Sequence, residues 1–154
     1  MAGITVVSNL PLRAASGYHR INDGFVVLDF LQFLNAVLLT DDNSVPMAND
    51  FKLRFVHASP TASGVDVDIT APKRADLRSA APSFAKVAFG GFAGHANQPQ
   101  GTFQLRVTST GTKNVISDTG ALTCMAGQIG RAVLINPPGS ATEPLGIVLQ
   151  RDMQ

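Results

Sequence analysis

The fold is decided by the stretch FKLRFVHASP, residues 51–60, which follows the polar run TDDNSVPMAND of residues 40–50. Within the stretch, Leu53, Phe55 and His57 occupy every second position, and a proline ends the pattern. Alternation with a period of two places successive side chains on opposite faces of a strand. The stretch therefore predicts a half-buried β-strand that begins a domain near residue 50.

The segment GVDVDIT, residues 64–70, alternates still more regularly, with Asp66 and Asp68 between apolar residues. Turn signals recur about every 8–12 residues after it, which is typical of sandwich folds. A pair of glycines, Gly90 and Gly91, suggests a bulge or a tight bend in the next strand pattern. Further strand patterns cover residues 84–96, 102–110, 114–126, 127–136 and 145–152, and a long loop covers residues 71–83. We predict an all-β fold, an antiparallel two-sheet sandwich of about seven strands.

Composition agrees with strands and turns and narrows the classes of function. The chain contains 14 Gly and 9 Pro, and charged residues make up 15% of it. A net charge of +1 gives no electrostatic footprint for nucleic acid or an anionic membrane. The single cysteine, Cys124, excludes an internal disulfide and a thiolate metal site, and we expect it to be a buried thiol. Residues 1–16 lack the order of a signal peptide, so the chain is either cytosolic or shown without its leader.

The apolar stretch Phe25 to Leu39 precedes the linker. It is 15 residues long and contains Asp29, Gln32 and Asn35, so it is too short and too polar to span a bilayer. Two interpretations remain open, a helix or the last strands of an incomplete sandwich. Strands without partners leave costly edges, which another copy of the chain could cover by self-association.

An internal repeat supports the incomplete sandwich. The segment LNAVLLTDD, residues 34–42, aligns with LGIVLQRDM, residues 145–153, in one register. We therefore divide the chain into an incomplete preceding copy or added strands at residues 1–39, a linker at residues 40–50, and a β-sandwich domain at residues 51–154.

Several motifs together resemble a known family. They are KLRFVHASPTASGVDVDI, VAFGGFAG, QGTFQLRVTSTGTKNVI and the final PLGIVLQRD. Over residues 51–152 the chain resembles the family labelled domain of unknown function 4397, and LLTDDNSVP resembles the connector between its tandem copies. The resemblance implies an immunoglobulin-like sandwich from an exported bacterial surface or periplasmic protein, with no established chemistry. The first copy departs from the pattern, because its early strands are missing or scrambled.

Acidic residues supply the candidate metal ligands. Asp66 and Asp68 lie two apart on one strand face, about 7 Å from each other, and could bind Ca²⁺ or act as an acid and base pair. The simpler interpretation, which we favour, is a solvated face, because alternation with valine predicts acids there in any case. Acids of the linker could hold Ca²⁺ between modules, or they could mark an exposed connection. The candidate metal ligands are Asp41, Asp42, Asp50, Asp66 and Asp68.

Other chemistry finds less support. The histidines His19, His57 and His95 have no metal-ligand spacing, and we interpret His57 as a residue of the core edge that bonds to backbone or to the loop at Ser59. No nucleophile motif occurs, so we assign no catalytic residue and no cofactor. The loop at residues 71–83 carries Lys73, Arg74 and Arg78, which serve solubility or contact a glycan or acidic partner.

We expect a non-enzymatic, extracellular or cell-surface module with a structural, adhesive or self-assembly role. The alternative is a small-molecule or carbohydrate-binding module, with or without Ca²⁺, that uses the face of Asp66 and Asp68 or the loop at residues 71–83. The partners we expect are another copy of the chain through Phe25 to Leu39, or a surface polymer or glycan.

Overall fold

The computed structural model describes residues 19–20, 26–27, 39–40, 42–74, 76–136 and 145–151. Two short strands, β1 (His19–Arg20) and β2 (Val26–Val27), pair antiparallel ahead of the main fold. The main fold has eight strands, which are β3 (Asp50–His57), β4 (Gly64–Thr70), β5 (Phe84–Ala88), β6 (Phe92–Pro99), β7 (Gly101–Ser109), β8 (Val115–Cys124), β9 (Ile129–Ile135) and β10 (Gly146–Arg151).

The eight strands form two sheets of four. Sheet 1 has the order β10-β9-β3-β6, and sheet 2 has the order β5-β4-β7-β8. The prediction of an all-β, two-sheet sandwich is confirmed. One strand pair departs from the antiparallel expectation, because β3 and β9 run parallel. The chain enters β9 from sheet 2 rather than through a hairpin within sheet 1, so no tight turn forces an antiparallel pair.

The glycine pair at residues 90–91 lies at a tight bend, one of the two predicted alternatives, and the bend joins two different sheets. β5 belongs to sheet 2 and β6 belongs to sheet 1, so the chain changes sheets at this turn. Gly90 has a φ of 76°, which side-chain-bearing residues rarely adopt. At Gly91 an added Cβ would lie 3.0 Å from the carbonyl oxygen of Ala88. Both glycines therefore permit a tight passage between the sheets.

The core lies between the sheets, on the faces that alternation predicts. Phe51, Leu53 and Phe55 of β3 meet Val65 and Val67 of β4 there, and all five are at most 4% exposed. The Phe51 ring stacks on Phe103 of β7, with 5.0 Å between the ring centroids. Each fully buried side chain of this kind contributes about 1.5–3 kcal/mol relative to exposure. The inward faces therefore hold the two sheets together.

The outward face of sheet 2 is covered. The flap, which we define as residues 71–83 without the undescribed residue 75, crosses it: the backbone N–H of Lys73 donates to Gln104 Oε1 at 3.0 Å, and Leu77 is buried. Asp66 and Asp68 on this face are 7% and 1% exposed. The interpretation of a solvated face at these two acids is wrong, because Asp66 is buried against the backbone amides of Lys86 and Gly111, and Asp68 is buried against Lys113. Alternation identified the face but not what lies on it.

The outward face of sheet 1 is also packed. Leu39, at the end of the apolar stretch, is buried against Val56 and Val133. The Arg54 guanidinium donates to the Thr40 carbonyl oxygen at 3.1 Å. The rest of Phe25 to Leu39, apart from Val26 and Val27, lies outside the described residues, and so does most of the unit at residues 1–39. The division into three units stays a prediction.

The linker is exposed but tethered. Val45 is 84% exposed, whereas the Nζ of buried Lys52 donates to Asp42 Oδ2 at 2.8 Å and to Ser44 Oγ at 2.9 Å. Within the described ranges, no helix has the length and apolarity that crossing a membrane requires.

Candidate functional site

Asp66 has a structural task. Its Oδ1 accepts the backbone N–H of Lys86 at 2.7 Å, and its Oδ2 accepts that of Gly111 at 2.9 Å. Lys86 has a φ of 56° and lies on β5, whose pairing with β4 shifts register, while Gly111 has a φ of 75° in the β7–β8 turn. Both amides face away from regular strand partners. The carboxylate therefore fixes a bulge and a turn, and both of its oxygens are engaged.

Asp68 lies two residues further along β4 and meets different partners. Its side chain is fully buried, and its Oδ1 accepts a hydrogen bond from Lys113 Nζ at 2.8 Å. Its Oδ2 is buried and has no hydrogen-bond partner within the described part of the chain. On the neighbouring strand β7, Arg106 lies directly opposite in the pairing register. Asp68 thus supplies negative charge beneath a group of basic side chains.

Asp42 and Asp50, the linker acids that the structure describes, meet different partners. Asp42 bonds to Lys52 and Ser44, and the hydrogen bond from the Lys52 ammonium group holds the pKa of this carboxyl well below its usual range. Asp50 belongs to β3, where its backbone bonds to Met47 and Gly127. Asp41 lies outside the described residues. Among those residues no group of three or more His, Cys, Asp or Glu side chains could hold a metal ion.

A basic pocket opens between the flap and the outward face of sheet 2. It has a volume of about 550 Å³. Arg74 and Arg78 come from the flap, Arg106 from the middle of β7, and Lys113 from the β7–β8 turn. The full lining is Arg74, Asp76, Leu77, Arg78, Arg106, Lys113 and Val115. Two segments far apart in the sequence thus bring four cations to one pocket.

Arg106 is the most rigidly placed of these cations. It is 7% exposed, its Nη1 donates to Thr70 Oγ1 at 3.3 Å, and its Nη2 donates to Gln104 Oε1 at 2.6 Å. Both partners are neutral, so they orient the guanidinium without cancelling its charge. A buried cation in this situation attracts an anion strongly, because little water screens it.

The flap arginines are positioned by the flap itself. Arg74 Nε donates to the Asp76 carbonyl oxygen at 3.0 Å, and Arg74 Nη2 donates to Ser79 Oγ at 3.1 Å. The Arg78 backbone N–H donates to Asp76 Oδ1 at 2.8 Å. Asp76 thus shapes the flap, and its negative charge offsets part of the positive charge of Arg74 and Arg78.

The charge balance favours anions. Four basic side chains line the pocket, one acid, Asp76, lines it with them, and a second acid, Asp68, lies behind Lys113. The pocket therefore carries a surplus of two positive charges, which is larger than the net charge of +1 for the whole chain. Arginine in particular suits carboxylate, sulfate and phosphate groups, because its planar fork donates two parallel hydrogen bonds.

His57 lies away from the basic pocket and helps to hold a turn. It is fully buried, and its Nδ1 accepts the Ser59 backbone N–H at 3.3 Å, which confirms the predicted bond to this loop. Ser59 Oγ in turn bonds to Asn136 Oδ1 at 2.5 Å. Burial lowers the pKa of His57, and the backbone of Ala62 partly offsets this effect. The side chain of His19 is not described, and His95 is part of no metal-binding group among the described residues.

Cys124 lines a second, smaller cavity of about 150 Å³ beside Phe51 and Phe103. The thiol is partly buried, and this burial raises its pKa. A raised pKa keeps the sulfur protonated and weakly nucleophilic at neutral pH. The position suits a packing role.

The sequence pointed to two of the four cations of the basic pocket but not to the pocket itself. It predicts that the basic side chains of the loop at residues 71–83 serve solubility or contact a glycan or acidic partner, and Arg74 and Arg78 of this loop line the pocket. Lys73 of the same group is exposed and lies outside the lining. Arg106 and Lys113 were missed, because their approach to the flap depends on the pairing of β4 with β7. The sequence signal that could have identified this site is Arg106, a lone arginine among the polar positions of the regular strand β7.

The chain matches no protein-family model, and no curated protein is significantly similar to it. The resemblance of residues 51–152 to domain of unknown function 4397 therefore stays a prediction.

Proposed function

We propose that this chain is a non-enzymatic, exported β-sandwich module with an adhesive role, which binds an acidic surface polymer or glycan through the basic pocket. The observation that carries the proposal is the convergence of Arg74, Arg78, Arg106 and Lys113 on one open pocket with a surplus of two positive charges. The exported location rests on the family resemblance.

The lining of the basic pocket favours acidic sugars over other ligands. Neutral sugars and unpaired bases are commonly held by stacking on aromatic rings. None of the described residues that line the pocket is aromatic, and its polar side chains are mostly cationic. Charge pairing is therefore the main interaction that the pocket offers.

The proposed binding does not require calcium. Asp66 uses both carboxylate oxygens on backbone amides, and Asp68 pairs with Lys113. We therefore expect a chelator such as EDTA to leave binding of an acidic polymer unchanged. A loss of binding on chelation would restore the calcium-assisted alternative.

The test compares retention on immobilised polygalacturonate, on heparin and on neutral dextran. We expect retention on the two acidic polymers, and we expect it to fall as ionic strength rises through about 0.1–0.15 M, where the Debye length is about 8–10 Å. The double substitution Arg74→Gln and Arg78→Gln removes two exposed cations of the flap and should weaken retention about tenfold or more.

The matched control is Arg151→Gln, which removes an exposed arginine at the end of β10, outside the basic pocket. It should leave retention unchanged. Equal retention on dextran, or equal loss in the control, would overturn the proposal. Tighter binding of single-stranded DNA than of either acidic polymer would assign the basic pocket to nucleic acid instead.

A further inference from the structure

The further inference concerns the charged group that the basic pocket selects, and it rests on the proposed function. Arg106 is the starting point, because it is more than nine-tenths buried and lines the pocket. A guanidinium has five N–H donors, and Thr70 and Gln104 each receive one from Arg106. Three donors remain on a side chain whose orientation is already fixed. Little side-chain entropy is lost when such a group binds.

Lys113 provides a second donor group beside it. Its ammonium group has three N–H donors, and Asp68 Oδ1 receives one of them. The lysine side chain is 25% exposed, so the remaining donors can reach a ligand in the pocket. Asp68 holds the lysine beside Arg106 without using up its capacity to bind anions.

Arg78 differs from both, because the flap presents it to solvent. Its backbone N–H bonds to Asp76, and its guanidinium has no hydrogen-bond partner among the described residues. This side chain can therefore move to meet a ligand, at a larger cost in entropy than Arg106. The basic pocket combines one fixed and one adaptable arginine.

We propose that the basic pocket is specific for a phosphate monoester, with Arg106 as its fixed anchor and Lys113 and Arg78 as additional donors. Such a group carries about −1.5 to −2 charges at pH 7 and three strong acceptor oxygens. The surplus of two positive charges matches it. A sulfate ester or a carboxylate carries one negative charge and would leave one positive charge of the pocket without a counter-ion.

The experiment measures affinity by isothermal titration calorimetry for three hexose ligands that differ in the charged group. They are glucose 6-phosphate, glucose 6-sulfate and glucuronate. We expect glucose 6-phosphate to bind about tenfold more tightly than the other two at pH 7.5. Because the second pKa of a phosphate monoester is about 6, this advantage should shrink as pH falls to about 5, while binding of the sulfate ester stays constant.

Two variants link the preference to named residues. Arg106→Lys keeps the charge but removes the fork, so it should abolish most of the preference for glucose 6-phosphate. Because Arg106 is buried, folding of this variant is checked by circular dichroism. Arg78→Gln changes an exposed side chain and should weaken glucose 6-phosphate binding severalfold with the fold intact. The control Arg151→Gln should leave all three affinities unchanged.

The outcomes separate this inference from the proposed function. Equal binding of the three ligands, weakened in Arg78→Gln, would overturn phosphate specificity and leave the anionic binding function standing. Binding of none of them, together with no retention on acidic polymers, would overturn both. Preferential binding of glucose 6-phosphate that neither variant weakens would overturn the assignment to this pocket.

Discussion

At the scale of single residues, two aspartates with the same place in a sequence pattern have different tasks. Asp66 accepts hydrogen bonds from the backbone N–H groups of Lys86 and Gly111, whereas Asp68 accepts one from the ammonium group of Lys113. The difference arises because β4 lies between β5 and β7, so each carboxylate meets a different set of neighbours. A buried acceptor that satisfies two backbone donors is costly to remove, since either donor left without a partner loses its hydration as well.

The substitution Asp66→Asn tests this role. An amide cannot accept a hydrogen bond at its nitrogen, so one backbone N–H loses its partner, and we expect the free energy of unfolding to fall by about 1–3 kcal/mol. Urea denaturation measures it. The control is Asp118→Asn, because Asp118 is exposed and accepts the Gly120 N–H through Oδ1, an oxygen that asparagine keeps. Equally small effects of the two substitutions would contradict the assignment.

The burial of His57 leads to a prediction about how the stability of the chain depends on pH. Burial lowers its pKa below the usual 6.5, so the unfolded chain binds a proton at this residue before the folded chain does. The contribution of neutral His57 to stability is therefore complete above about pH 7 and is lost as pH falls below 6.5 toward the lowered pKa.

We expect the urea midpoint of the chain to fall between about pH 7.5 and about pH 5.5, and to fall less in His57→Gln. We compare how steeply the urea midpoint changes with pH in the two proteins, rather than the midpoints themselves. This comparison removes the packing cost of the substitution, because that cost does not depend on pH. Parallel pH profiles for the two proteins would show that His57 does not contribute.

At the scale of elements, the pairing of β9 with β10 depends on a close backbone approach. Gly130 lies opposite Arg151, and an added Cβ would lie 2.8 Å from the carbonyl oxygen of Gln150. No real Cβ tolerates such a distance to backbone, so the two strands must separate locally. The pairing of the edge strand β10 with β9 therefore requires a residue without a side chain at position 130.

We expect Gly130→Ala to lower the free energy of unfolding by about 1–3 kcal/mol and to increase amide hydrogen exchange in β10. Gly94→Ala is the matched control, because Gly94 also lies in a strand and its added Cβ would meet nothing within 4 Å. Normal exchange in β10 of Gly130→Ala would show that the strands adjust without cost.

At the scale of the whole molecule, both sheets bury their outward faces in part, which a two-layer sandwich alone does not require. The flap covers sheet 2, and Leu39 packs on sheet 1. The function proposed for sheet 2 depends on this third layer, because the flap supplies two of the four cations of the basic pocket. For the apolar stretch Phe25 to Leu39, we propose that it mediates self-association of the chain.

We expect the mass measured by light scattering to exceed 16.2 kDa and to rise with protein concentration. The substitution Phe33→Asp, within the apolar stretch, should lower the mass toward that of one chain, because a buried charge opposes an apolar interface. The control Met125→Asp changes a side chain that is 61% exposed elsewhere. A mass of one chain at every concentration would rule out self-association.

The sequence by itself determined most of the strands and the side of the most regular ones that enters the core. Alternation in residues 51–57 and 64–70 is local, so Phe55 and Val67 could be placed in the core without knowledge of any partner strand. The bond between His57 and the loop at Ser59 was also predictable, since the two residues are neighbours in the chain.

Tertiary structure alone decided the rest, namely the parallel pairing of β3 with β9, the change of sheet at the glycine pair, and the burial of Asp66 and Asp68. It also brought Arg106 and Lys113 to the flap arginines. The physical reason is that each of these features depends on which distant strands pair and in what register. Period-two alternation separates the two faces of a strand, but it carries no information about the segment that will cover either face.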